Sequence, residues 1–153
     1  MQDSLCFYLL LSYESKCYYY LNRMEDAFRT NKEVIRYLTD HASFDRSRAL
    51  LAEAFNNQGV YWQELGERDS AIRVLKSAIN ILQMTPNRNV LTSVYINLAD
   101  CHLQKGDYPQ CGFYYRKALL VADSLALGYR DHFAIYSGLA KTLSGIGKFP
   151  GSE

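Results

Sequence analysis

The chain is 153 residues long and carries 17 basic against 16 acidic side chains with no run of like charge. That length fits one domain or one short array able to bury roughly 70% of its unfolded surface without staples, and the balanced charge excludes the electrostatic footprint of a nucleic-acid or anionic-membrane binder. Four cysteines without a C-x-x-C pair and three dispersed histidines exclude a local zinc site, and Leu5 to Leu11 is too short to cross a bilayer and lacks a basic flank.

Apolar residues recur at helical spacing in almost every window, and strand alternation is rare, so the chain reads as all helix. A first unit, about residues 8–41, holds the run Cys17-Tyr18-Tyr19-Tyr20-Leu21-Asn22, with Tyr18 expected in the core, Asn22 in a turn and Ala27 on the second helix. A connection from Thr39 to Ser47 follows. The second unit, about 52–85, carries Gly59, Trp62, Gly66, Ala71, Leu75 and Ala78, and ends in a connection from Met84 to Asn89. The third, about 92–125, carries Tyr95, Leu98, Ala99, Gly106, Pro109, Tyr115 and Ala118. After a connection from Ala126 to Asp131, the first helix of a fourth unit, about 131–147, repeats the pattern with Tyr136, Leu139, Ala140, Gly147 and then Pro150. About seven helices result.

The units superpose by offsets of 44 (Tyr18 on Trp62), 40 (Ala78 on Ala118) and 41 (Tyr95 on Tyr136). Each first helix ends at a residue that accepts a left-handed backbone: Asn22, Gly66, Gly106 or Gly147. The second helix starts at once, with Pro109 and Pro150 in its first turn, where a missing N–H is harmless. So short a turn makes the two helices antiparallel. Small residues at Gly59, Ala99 and Ala140, and at Ala27, Ala71 and Ala118, let the backbones approach, while Trp62, Leu75, Tyr95 and Tyr115 fill the adjoining space. All four cysteines, Cys6, Cys17, Cys101 and Cys111, are expected as small buried side chains, which fits a reducing compartment and favours the cytoplasm.

These residues resemble the tetratricopeptide repeat, whose pattern is an aromatic, Leu-Gly, an aromatic, then alanines about a bulky residue across a helix-turn-helix. The resemblance implies an all-α fold of antiparallel helix-turn-helix repeats stacked into a right-handed alpha-alpha superhelix, a single array over 1–153. Two features depart from the pattern: the period exceeds the family's usual value of about 34, and the first unit has Glu14-Ser15 where Leu-Gly is expected. Pro150 to Glu153 fall where the second helix of a fourth unit would begin, so the chain is expected to be a fragment of a longer protein.

A search for chemistry finds no phosphate loop, no H-E-x-x-H and no G-x-S-x-G. Glu64 and Glu67 flank an exposed helix end, and Asp100, Cys101 and His102 point about 100° apart on a helix and cannot converge. No enzyme and no cofactor are expected. Proteins of the resembled family bind proteins or peptides in a concave groove lined by their first helices. Carried over by position, that groove is Ser12, Lys16, Tyr19 and Tyr20 in the first unit, and Glu53, Asn56, Val60, Gln63 and Glu64 in the second. The third gives Ser93, Ile96, Asp100, Leu103 and Gln104, and the fourth Ser137, Lys141 and Ser144. Lys16, Val60, Asp100 and Lys141 stand where relatives that grip a chaperone C-terminus hold asparagine, which argues against that partner. Glu53, Glu64 and Asp100 suit a segment of mixed apolar and basic character. The expected role is a non-catalytic protein or peptide interaction module with no nucleic acid and no direct membrane contact, self-association being left open. The alternative is a sensory or regulatory arm of a larger bacterial signalling or transcription-regulating protein.

Overall fold

The computed structural model describes residues 2–86 and 88–147. Among them are seven α-helices and no strand: α1 Gln2–Tyr20, α2 Met24–His41, α3 Asp45–Glu64, α4 Arg68–Leu82, α5 Leu91–Gln104, α6 Tyr108–Ser124 and α7 Tyr129–Ile146. They form two compact units, Met1–Val90 and Leu91–Glu153. None of these helices is long and apolar enough to cross a membrane.

The hairpins are made by one recurring cap. At the end of α1, Arg23 N–H donates to the Tyr18 carbonyl and Asn22 N–H to the Tyr19 carbonyl, with Asn22 at φ 59°. The same two bonds recur after α3, with Gly66 at φ 78°, and after α5, with Gly106 at φ 74°. This is the Schellman arrangement, which satisfies the last carbonyls and reverses the chain within two residues. Asp107 then caps α6 by accepting from the Gln110 amide at 3.3 Å, and Pro109 lies in the first turn of that helix. A fourth such cap follows α6 and places Ala126 at φ 48°, a conformation the sequence does not announce because alanine rarely adopts it. Gly147 departs from the expectation: its φ is −67°, and α7 ends with the Gly147 amide on the Leu143 carbonyl. Pro150 lies outside the described residues.

Unit 1 packs α1, α2, α3 and α4 about small residues. Ala27, Ala52, Ala54, Ala71 and Ala78 are fully buried beside Val34, Leu75 and Leu82. Gly59 lies so close to Leu75 that an added Cβ would stand 2.6 Å from its side chain. Burial of a leucine such as Leu75 contributes about 1.5–3 kcal/mol. Ser15, in place of the repeat's glycine, is fully buried; its hydroxyl donates to the Ala27 carbonyl at 2.9 Å and bonds the Tyr61 hydroxyl at 2.7 Å, tying α1, α2 and α3 together. Tyr61 is thus the core aromatic of this level, and Trp62 is half-buried with its ring edge-on to Phe28 at 4.7 Å. Tyr18, expected in the core, is half-exposed: its ring lies 4.6 Å from the Arg23 guanidinium and its hydroxyl donates to Glu14. The run Thr39–Ser47 is mostly helix, because the stack Tyr8–Tyr37–His41, with centroids 3.8 and 4.2 Å apart, carries α2 on to His41. Cys6 and Cys17 are exposed, since they lie on the side of α1 opposite Ser12 and Ser15.

Unit 2 packs α5, α6 and α7. Val94, Leu98, Ala99 and Cys101 meet Cys111, Tyr115, Ala118 and Ala122, and Ile135 closes the core from α7. The close approach on α7 is at Gly138, where a Cβ would stand 2.0 Å from the Tyr115 ring, and at Gly145 against Tyr108. Ala140, expected at a buried contact, is exposed because it lies two residues from Gly138 and so on another face of the helix.

Candidate functional site

The first helices of unit 1, α1 and α3, present one continuous polar surface. On α3 the residues Glu53, Asn56, Val60, Gln63 and Glu64 recur at helical spacing and so form one stripe, in which Asn56 is buried and the other four reach the surface. Opposite them α1 supplies Lys16, whose ammonium pairs with the Glu53 carboxylate, and Tyr19, whose hydroxyl donates to Glu64 at 3.2 Å. The Tyr19 ring stacks on Tyr61 with centroids 5.3 Å apart. Partial burial, then the neighbouring Glu64 charge, push the Tyr19 hydroxyl pKa up, so the phenol stays neutral and donates. Tyr20, 81% exposed at the end of α1, packs its ring edge-on to Tyr19 with centroids 5.3 Å apart. Ser12 is buried and is not on the surface at all.

Tyr61 escaped the sequence reading although it organises the site from below. Its signal is its position two turns after Ala54, which puts it on the buried face of α3.

In unit 2, Ile96, Asp100 and Gln104 follow one another at four-residue spacing on α5. Leu103, Tyr108, Ser137, Lys141 and Ser144 line one open depression between α5 and α7, so the expected residues of both helices converge there. The Asp100 carboxylate accepts from the Tyr115 hydroxyl beneath it. Burial raises the Asp100 pKa, opposed by the Tyr115 hydrogen bond and the Lys141 charge. Tyr115 is raised well above the usual phenol range by burial and by the same carboxylate, so it remains the donor. Cys101 is buried and His102 bonds Asp107 at 3.1 Å, so Asp100 and His102 turn to different partners and the Asp100-Cys101-His102 run does not converge. Among the described residues no group of histidine, cysteine and acidic side chains is placed to hold a metal ion.

Antiparallel helix pairs with glycine or asparagine caps and alanine contacts, offering their first helices as polar surfaces, define a helical-repeat protein. Residues 92–124, the hairpin of α5 and α6, match the family model described as tetratricopeptide repeat. That hairpin is similar to a tetratricopeptide repeat. No curated protein and no solved structure matches the chain.

Proposed function

We propose that the chain is a non-catalytic interaction module whose two units each offer a face for a protein segment, α1 and α3 in unit 1 and α5 and α7 in unit 2. The observation that carries this reading is the α1–α3 surface, where Lys16–Glu53 and Tyr19–Glu64 hold side chains of two first helices in fixed positions at the surface. Such pre-ordering lowers the side-chain entropy lost on binding. The tetratricopeptide match supports a protein as the partner. Glu53, Glu64 and Asp100 are already engaged by Lys16, Tyr19 and Tyr115. The preferred segment is therefore amphipathic and of low net charge, rather than strongly basic.

Selection of a random peptide library against the chain tests this. Each enriched peptide is expected to bind either Tyr19→Ala, if it uses unit 1, or Lys141→Glu, if it uses unit 2, at least about tenfold more weakly, a change of about 1.4 kcal/mol, with helicity unchanged. Equal binding to parent and both variants would sink the assignment.

A further inference from the structure

Helix α1 carries apolar side chains on its outer side as well as on its inner one, with Glu14 and Lys16 between them. Its inner side, with Ser12 and Ser15 buried, faces α2 and α3. On the opposite side Cys6, Leu10, Tyr13, Cys17 and Tyr20 succeed one another at intervals of four, three, four and three residues. Every one is exposed: Leu10 by 68%, Tyr13 by 56% and Tyr20 by 81%, with both cysteines exposed as well. Phe7 and Leu21 flank the row and are exposed too. Spacing that averages 3.5 residues is the seam of a supercoiled helix pair.

The seam is complementary to itself. If two copies of α1 are laid antiparallel about a two-fold axis between Leu11 and Ser12, Leu10 of each meets Tyr13 of the other, and Cys6 meets Cys17. Cysteine then faces cysteine toward the ends and leucine faces tyrosine in the middle. A parallel pairing would set Tyr13 on Tyr13. The five seam residues carry no charge, and Glu14 lies on the flank with Phe7 and Leu21. Five seam residues and two flanking ones per copy cover on the order of 1,000 Å² in total, the lower bound for a specific interface. We propose that α1 is a dimerisation helix, pairing antiparallel with α1 of a second copy through Cys6, Leu10, Tyr13 and Cys17. This surface lies on the far side of α1 from Ser15 and borders the proposed peptide-binding face, where Lys16 lies over the Tyr13 ring at 5.1 Å and Tyr19 packs edge-on to Tyr20 at 5.3 Å.

The cysteines report the register directly. Under reducing pre-treatment and then a short bis-maleimide, the chain is expected to give a cross-linked dimer. Cys6→Ala and Cys17→Ala should each lose it alone, because like cysteines lie about 16 Å apart along the paired axes. Mixing the two variants should restore it. In sedimentation over a concentration series, Leu10→Glu is expected to weaken dimerisation at least about tenfold, with unchanged helicity because Leu10 is exposed in the single chain. A chain that stays monomeric throughout, or cross-linking that survives in either cysteine variant alone, overturns the proposal. So does a dimer that Leu143→Glu on α7 dissociates and Leu10→Glu does not.

Discussion

Asp100 and Tyr115 show how one surface residue can serve the fold and the proposed site together. The carboxylate is needed by the phenol beneath it, yet burial penalises its charge and raises its pKa. Asp100→Ala leaves the buried Tyr115 hydroxyl without its acceptor and is expected to cost about 1–3 kcal/mol. Asp100→Asn keeps an acceptor oxygen and removes the penalised charge, so the thermal midpoint at neutral pH should be retained or raised. The sign with pH follows. A raised carboxylate pKa means that the folded state holds the proton more readily than the unfolded one. This contribution to stability therefore falls as pH rises above about 4. Melting curves at pH 4 and pH 7 should show a smaller difference for the asparagine variant than for the parent.

At the scale of helices, the turns were legible because a left-handed cap has few acceptable residues: Asn22, Gly66 and Gly106 announce three hairpins without tertiary information. Ala126 was illegible for the same reason, since it adopts a conformation its side chain disfavours. Which of two adjacent aromatics turns inward was also illegible where the repeat pattern is weak. Tyr61 and Trp62 differ by 100° about α3, and the choice is made by Ser15, 46 residues away, whose hydroxyl requires a buried partner. The groove residues were legible as stripes, but their pairing across α1 and α3 depends on the distance between two helices that no local pattern encodes. The joint between α6 and α7 carries its own prediction. His132 bonds Asp123 at 2.9 Å and the Gly128 carbonyl, and the Asp123 bond is the main reason its pKa is raised. A raised histidine contributes stability in full below the unfolded value of about 6.5 and loses it as pH rises through the folded value. The thermal midpoint should therefore decline from pH 6 to pH 8.5, and His132→Gln should flatten that slope; identical slopes would remove the role.

For the molecule as a whole, the division at Val90 and Leu91 separates two cores with their own small-residue contacts. Between α4 and α5, Gln83, Met84, Pro86, Arg88 and Asn89 are exposed, and Met84 is bare to 72%. Proteases cut preferentially in exposed chain outside regular helices. Limited trypsin digestion is expected to make its first internal cut after Arg88, releasing two helical fragments. A first cut within α3 or α6 would show that those helices open before the connection does.

The chain has a single tryptophan, Trp62, half-buried against Phe28 in unit 1. Indole emission therefore follows the environment of α2 and α3 and carries no direct signal from α5, α6 or α7, whereas far-ultraviolet circular dichroism sums all seven described helices. The two spectroscopies thus observe different parts of one polypeptide. The gap between their transitions measures how far the units melt as one cooperative body.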